Sequence, residues 1–265
     1  MIKTNYKHFY INEIPVVEII PEGKENEPLP LAVFYHGWTN NKDYTIADGI
    51  ALAQEGFRAI LPDAIYHGER ALPGFEKEMD NRIIANVMVQ SVSEFTQLIN
   101  HYKDRKLILN DFVAVAGQSM GGMTTCMLLA SYPEINAACC LMGSPNLTSM
   151  VKKRIDDSKL IESIKAFDLN LNPKKINCRP VLFWHAQPDL WVPYEHVNEF
   201  INNNKKRVEF DYVYYCEDVE GEHFVPYSEV YRMSRFLWNS YKYRDNPCDI
   251  WPQTQRELNK KYKIN

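Results

Sequence analysis

The chain has 265 residues, of which 45% are hydrophobic and 24% charged, a composition typical of a soluble globular protein with a sizeable core. Its formal net charge of -4 gives no overall basic field of the kind that attracts nucleic acid or anionic membranes. The N-terminal stretch is broken by Asn, Glu and Pro before a long apolar run forms, so we expect neither a signal peptide nor a membrane span. These observations predict a cytoplasmic protein without nucleic-acid or membrane partners.

Six cysteines are spread along the chain, and none forms a Cys-x-x-Cys pair. Cys139 and Cys140 adjoin in an apolar stretch that predicts a buried strand, where a thiol behaves as a small hydrophobic group. This spacing does not favour a disulfide framework or a zinc site. It agrees with a reduced, cytoplasmic protein.

Short apolar runs alternate with longer helical patterns, which predicts an α/β fold with a mostly parallel, eight-stranded sheet and helices on both faces. Residues 6–10 and 14–20 predict an antiparallel pair joined at Asn12. Apolar residues at helical spacing predict a helix over 84–102. Further strands are predicted at 31–35, 58–61, 112–116, 137–141, 181–184 and 209–214.

We expect residues 1–265 to form a single domain with two additions. Residues 144–178 are polar and helix-prone, which predicts a small helical, lid-like insertion; an ordinary crossover helix with irregular loops is the alternative. Residues 241–265 form a C-terminal tail in which Ile250 and Trp251 could anchor the chain to its own surface or to a second subunit. A homodimer is therefore one possible assembly.

The motif Gly117-x-Ser119-x-Gly121 follows the apolar run at 112–116 and precedes a helix-compatible run at 120–132. A serine at such a strand-to-helix corner is the arrangement called a nucleophile elbow, in which glycines allow a sharp turn around an accessible hydroxyl. The alternative is a serine that only caps the helix. A nucleophilic serine needs an adjacent base, so the rest of the sequence decides between the two.

Three histidines follow Ser119, and we assign His223 as the base because it lies in a glycine-containing loop between the last predicted strand and the last helix. His196 falls in a helical stretch, where we expect a surface residue. His185 comes directly after a strand, and we interpret it as structural.

Asp189 is the candidate acid that orients this base, because it lies just past the strand predicted at 181–184. Catalytic groups of open α/β sheets gather at the carboxyl ends of the strands. A turn or helix N-cap is its alternative role. The other acids, which lie in a predicted strand or close to His223 on the same loop, are Asp211, Glu217 and Asp218.

An acyl-transfer site also needs donors for an oxyanion. One is expected from the backbone N–H of Met120, which follows the serine, and the other from the loop after the third strand. That loop contains Gly37, which eases the turn, and Trp38, whose backbone N–H is the second candidate donor.

Taken together, the segments HGWTNNK, LPDAIYHGER, AGQSMGG, WHAQPDLWVP and GEHF resemble the α/β-hydrolase superfamily over residues 31–238. The nearest branch resembles small bacterial carboxylesterases related to dienelactone hydrolase and to the catalytic domains of prolyl oligopeptidases. This resemblance implies the α/β-hydrolase fold, the triad Ser119, Asp189 and His223, and the oxyanion pair Trp38 and Met120. Family members often carry glycine where this chain has alanine in WHAQPD, a departure that affects a turn.

Ester substrates present apolar groups, so we expect Trp191, Leu147 and Met150 to line an acyl pocket. The segment that contains His67 resembles a loop near the active-site mouth of the superfamily, so His67 joins this list. A metal site from Asp63, His67 and Glu69 matches no ligand template, and we predict no metal.

The sequence thus predicts a serine carboxylesterase that acts on short- to medium-chain esters without a cofactor. A thioesterase, a peptidase-like acyl hydrolase and a sugar deacetylase would use the same residues and remain alternatives. A non-catalytic binding protein on a hydrolase scaffold is a further alternative, although such proteins usually lack a triad member.

Overall fold

The computed structural model describes residues 2–72, 81–152 and 158–262. Within these ranges, eight strands form one sheet in the order β1-β2-β4-β3-β5-β6-β7-β8. β1 and β2 pair antiparallel, as do β2 and β4, and the remaining neighbours pair parallel. This sheet confirms the predicted architecture. The strands are β1 (Thr4–Ile11), β2 (Ile14–Pro21), β3 (Leu29–Tyr35), β4 (Arg58–Pro62), β5 (Ile108–Gln118), β6 (Ala137–Leu141), β7 (Val181–Ala186) and β8 (Val213–Asp218).

Helices cover both faces of the sheet. The α-helices are α1 (Ile46–Glu55), α2 (Asn81–Lys103), α3 (Met120–Ser131), α4 (Leu147–Lys152), α5 (Ser158–Lys165), α6 (Glu195–Asn204), α7 (Tyr227–Lys242) and α8 (Ile250–Tyr262). Buried side chains of α1 and α7 share one hydrophobic cluster, and those of α2, α3 and α6 share the other. α2 contains the predicted helix 84–102. No helix in the described ranges is long and apolar enough to cross a bilayer.

The last strand begins later than the strand predicted at 209–214. Residues Val208–Phe210 form a short 3₁₀ helix, and β8 starts at Val213, which lies opposite Val181 of β7. The Phe210 side chain is buried, with its ring 5.3 Å from that of Phe200, so this segment turns into the core before the strand starts. Asp211 therefore lies outside the strand.

Glu217 and Asp218, expected on the loop beyond the last strand, are its final residues. Asp218 Oδ1 accepts hydrogen bonds from the backbone N–H groups of Glu220 and Gly221, both at 3.0 Å. These bonds fix the turn that leads from β8 toward His223.

In the described part of the predicted insertion, α4, α5 and the 3₁₀ helix Pro173–Ile176 pack on the side of the sheet that carries α2 and α3. Ile164, Leu169 and Ile176 are fully buried in the hydrophobic cluster of that side. Asp168 connects two parts of the insertion, because its carboxylate accepts a hydrogen bond from the backbone N–H of Thr148 in α4 at 2.6 Å and another from that of Asn170 at 2.8 Å. Residues 153–157 of the insertion lie outside the described ranges, and its role as a lid stays a prediction.

The C-terminal tail packs on its own domain through α8. Ile250 is fully buried, and the ring of Trp251 stacks on that of Tyr214 in β8 with centroids 4.8 Å apart and planes 10° from parallel. The sequence left open whether Ile250 and Trp251 contact their own chain or a second subunit, and in the structure they contact their own chain.

A buried ion cluster connects the loop after β3 to the loop after β4. Lys42 is 1% exposed, and its Nζ lies 3.0 Å from Asp63 Oδ2 and 2.6 Å from Glu69 Oε1. Asp63 also accepts from the backbone N–H groups of Lys42 and Glu69. Burial alone would lower the pKa of Lys42, but the hydrogen bonds to Glu69 and Asp63 outweigh it and raise that pKa above its ordinary value. The cluster therefore holds both loops in fixed positions.

We predict that Lys42→Met destabilises the fold by about 3 kcal/mol, because it leaves the carboxylate of Asp63 buried without its cation. The free energy of unfolding in urea measures this change. Lys24→Met is the matched control, since Lys24 pairs with Glu27 at 2.6 Å on the surface and such pairs contribute less than about 1 kcal/mol. Equal losses in the two variants would contradict a structural role for the buried cluster.

Candidate active site

The carboxyl ends of four parallel strands bring the candidate site together. The loops that follow β3, β5, β7 and β8 carry Trp38, Ser119, Asp189 and His223, respectively. Parallel strands end at a common edge of the sheet, so side chains from distant parts of the chain meet there.

Ser119 occupies a strained corner between β5 and α3. Its backbone has φ 54° and ψ -117°, a conformation that side-chain-bearing residues rarely adopt outside functional sites. The Ser119 N–H donates to Leu141 O at 2.9 Å, which ties the corner to the end of β6. Ser119 Oγ makes no helix-capping hydrogen bond, so the alternative of a serine that only caps the helix does not describe this residue.

The two glycines of the motif permit close approach between the elbow and β3. A Cβ at Gly121 would overlap the carbonyl oxygen of Tyr35, and a Cβ at Gly117 would overlap the carbonyl oxygen of Gly121. Any larger residue at either position would push α3 away from the sheet and displace Ser119. The Gly-x-Ser-x-Gly pattern therefore has a steric origin.

His223 lies between Ser119 and Asp189. Its Nε2 is 2.9 Å from Ser119 Oγ, and its Nδ1 is 2.7 Å from Asp189 Oδ2. The carboxylate can only accept, so Nδ1 carries a hydrogen and Nε2 is left to accept the serine proton. The structure thus brings the three predicted residues into one hydrogen-bonded chain.

Asp189 is held by four hydrogen bonds. Oδ1 accepts from the backbone N–H of Trp191 at 2.8 Å and from that of Val192 at 2.9 Å. Oδ2 accepts from His223 and, at 3.1 Å, from Nε2 of His185. Burial opposes ionisation, but the bonds from His185, His223 and Val192 outweigh it and hold the pKa of Asp189 well below its usual range. The carboxylate is fixed in position and stays charged.

His185 is part of this arrangement. It lies within β7 instead of directly after the strand, is completely buried, and also has Nε2 2.8 Å from Val192 O. Both partners of Nε2 are acceptors, so this nitrogen carries the hydrogen. His185 therefore helps to orient the carboxylate that in turn orients His223. In the sequence, the signal for this role is that His185 lies only four residues before Asp189.

Of the two residues predicted to donate to an oxyanion, Met120 directly follows Ser119 and Trp38 lines the same cavity as Ser119. Met120 is the first residue of α3, where a backbone N–H has no acceptor in a preceding turn. Trp38 follows Gly37, whose carbonyl accepts from His36 Nδ1 at 2.8 Å while His36 Nε2 accepts from Ala64 N–H at 3.0 Å. Burial lowers the pKa of His36 to about 4, so the ring stays neutral and keeps both bonds. These bonds fix the loop that presents Trp38.

A cavity of about 510 Å³ opens beside Ser119, within the range of small-molecule sites. It lies between the loop after β3, the first turn of α1, the His223 loop and the start of α7. The lining residues are Gly37, Trp38, Thr39, Asn40, Tyr44, Ala47, Asp48, Gln118, Ser119, Met142, His223, Phe224, Val225, Tyr227 and Val230.

The predicted pocket residues do not line this cavity. Leu147 is buried in the hydrophobic cluster on the opposite face of the sheet, and Met150 packs against that cluster. Trp191 is 58% exposed, next to Asp189, whose Oδ1 accepts from its backbone N–H. The prediction missed the cavity because its walls come from α1 and α7, whose inward faces cannot be located from local sequence.

His67 does not line this cavity but packs against Trp38, which does. Its ring is 4.8 Å from that of Trp38 and 5.1 Å from that of His36, and it lines a second, smaller cavity of about 130 Å³ that Trp38 also lines. Burial lowers the pKa of His67, so the ring tends to stay neutral. In the ranges described, no group of three His, Cys, Asp or Glu residues is placed to hold a metal ion.

His196, expected on the surface, is buried instead. Its Nδ1 lies 3.0 Å from Ser144 Oγ, which connects α6 to the start of the insertion. The helical pattern around it did not show which face of α6 points inward.

Comparison with known proteins agrees with this architecture. A sequence model of the dienelactone hydrolase family matches residues 20–221. The Bacillus subtilis (strain 168) protein named "Putative esterase YitV" is 31% identical over 237 residues, 83% of this chain and 92% of its own length. "Esterase YjfP" of Escherichia coli (strain K12) is 30% identical over 193 residues, 68% of this chain and 77% of its own. The crystal structure of TT1662 from Thermus thermophilus has a TM-score of 0.75 at 17% identity, and the match covers 91% of this chain and 98% of that one.

We predict that Gly121→Ala lowers the stability by about 2 kcal/mol, because the new Cβ meets the backbone of β3, which cannot move aside. Alanine has a higher helix propensity than glycine, by up to about 1 kcal/mol in a helix interior, so a net loss at this first-turn position reports the collision. Thermal unfolding measures the change. In the control Gly37→Ala, the nearest atoms to the new Cβ lie at 3.5 Å, an ordinary contact, and we expect a loss below about 1 kcal/mol. A stabilised Gly121→Ala variant would refute the steric explanation.

Proposed function

This chain belongs to the dienelactone hydrolase family and is a hydrolase, and we propose that it is a serine carboxylesterase for short- to medium-chain carboxylic esters. The observation that carries the proposal is the hydrogen-bonded chain from Ser119 Oγ through the His223 ring to the Asp189 carboxylate. A serine hydroxyl needs a base of this kind to become a nucleophile at neutral pH.

In the proposed acylation step, Ser119 Oγ attacks the ester carbonyl while His223 Nε2 takes the hydroxyl proton. Asp189 stabilises the imidazolium that forms and keeps Nδ1 as the donor. The backbone N–H groups of Trp38 and Met120 would receive the negative charge on the carbonyl oxygen. His223 then gives its proton to the leaving alkoxide, and the acyl group remains on Ser119.

In the second half of the reaction, a water molecule takes the place of the alcohol. His223 removes a proton from this water as it attacks the acyl-enzyme, and the proton passes to Ser119 when the acid leaves. His223 therefore acts as a base and then as an acid in each half of the reaction, and the enzyme ends in the protonation state in which it began.

One observation supports an ester substrate over the alternatives: both relatives described above carry the name esterase. The cavity volume of about 510 Å³ bears on chain length instead and suits a short or medium acyl group. Thioesters, activated amides and acetylated sugars would use the same chemistry. A purely binding role is disfavoured, because the three side chains retain the contacts that catalysis requires.

We predict that wild-type protein hydrolyses p-nitrophenyl esters from acetate upward and that Ser119→Ala loses about a million-fold in kcat. Comparing kcat/KM from p-nitrophenyl acetate to p-nitrophenyl decanoate also shows which acyl chain length is hydrolysed best. Ser131→Ala is the control, since Ser131 ends the same helix and donates to Met127 O. A Ser119→Ala variant that retains turnover, or a wild type inert toward the whole series, would count against the proposal.

We predict that Asp189→Asn lowers kcat by about 10⁴ with little change in KM, because the amide cannot hold His223 in the tautomer that accepts the serine proton. Steady-state kinetics on the best p-nitrophenyl ester separates the two constants. A rise in KM at unchanged kcat would show that Asp189 acts in binding instead.

A further inference from the structure

The cavity beside Ser119 contains a carboxyl group that the proposed reaction does not use. Asp48 lies in the first turn of α1, is 7% exposed and lines the cavity. Within the described ranges, no other residue donates a hydrogen bond to its carboxyl, which contacts only its own backbone N–H. Desolvation raises the pKa of Asp48 to about 7, against the lowering effect of that one contact. Burying a carboxyl group that no other residue pairs with costs free energy of folding.

The position of Asp48 in a helix does not account for this burial. Acidic residues are common in the first turn because they interact favourably with the helix dipole. Such residues usually remain in water or bond to exposed N–H groups of the turn. Asp48 is 7% exposed and bonds to no N–H of the turn except its own, and it lines the cavity beside Ser119.

The rest of the cavity wall favours a cation. Its described lining contains one carboxyl, that of Asp48, and no lysine or arginine. Tyr44, Phe224 and Tyr227 stand largely exposed at the mouth. Aromatic faces attract organic cations.

We propose that Asp48 binds a protonated amino group of the ester substrate, so that the natural substrates are esters that carry an alkylammonium group. This inference rests on the proposed function, because it concerns the same cavity. An alkylammonium group supplies both the charge and the N–H donors that the Asp48 carboxylate lacks, while its methylene chain packs against the apolar lining. An anionic group would be repelled, and an apolar acyl chain would leave the carboxyl unpaired.

Equilibrium binding to the Ser119→Ala protein tests the inference without turnover. The probes are n-alkylammonium chlorides from propyl to hexyl and the alcohols of the same lengths, at constant ionic strength and about pH 8, above the raised pKa of Asp48. Ligand-induced shifts in Tm give the Kd values. We expect at least one ammonium ion to bind about tenfold or more tightly than its alcohol, as hydrogen bonds to charged groups allow.

Asp48→Asn in the same background should reduce this preference to about twofold or less, since the amide keeps the shape but loses the charge. Glu55→Gln is the matched control: Glu55 is a partly buried residue on the same helix with a pKa also raised to about 7 by burial, but it pairs with Arg235 and does not line the cavity. The preference should survive this change. Equal binding of amine and alcohol, or a preference that persists in Asp48→Asn, would overturn the inference.

Esters then show which side of the substrate carries the amine. Wild-type kcat/KM is compared for p-nitrophenyl aminohexanoate against p-nitrophenyl hexanoate, and for aminohexyl acetate against hexyl acetate. We expect about a tenfold preference for the amino ester in one pair and its loss in Asp48→Asn. Failure of Ser119→Ala to abolish turnover would defeat the proposed function, whereas absence of any amine preference would defeat this inference alone.

Discussion

The close contact between the Ser119 elbow and β3 is the constraint on which the site depends. Ser119 keeps its strained backbone because Gly117 and Gly121 lack the side chains that would separate α3 from the sheet. The same contact brings Ser119 next to Gly37, whose loop carries a candidate oxyanion donor. The packing of β3, β5 and β6 thus maintains the strained backbone of Ser119, and this geometry exists only in the folded sheet.

Two independent anchors hold the groups around that elbow. On one side, the four hydrogen bonds accepted by Asp189 fix the position of His223 and extend back to His185 inside β7. On the other side, the buried pair of Lys42 and Asp63 fixes the loop after β3. The two anchors share no residue, and each holds a different wall of the site.

The sheet and the chain of Ser119, Asp189 and His223 could be predicted because their signals are local. A strand followed by a helix or a short loop is visible in a few residues, and motif order then places the loops on one edge. The cavity wall could not be predicted in this way. Asp48 has the sequence pattern of any acidic residue at a helix start, while Leu147 and Met150 resemble pocket residues but pack into the opposite face. Which helix face meets the substrate depends on how α1 and α7 sit against the completed sheet.

Ser119 and His223 are 104 positions apart, and His223 follows β8, the edge strand that pairs with β7 alone. Chains emerge from the ribosome with the N-terminal end first, so the elbow is synthesised long before its partner. During that interval Ser119 lacks the residue proposed as its base. Under the proposed mechanism, Ser119 therefore becomes reactive toward esters only after the loop that follows the last strand has been made.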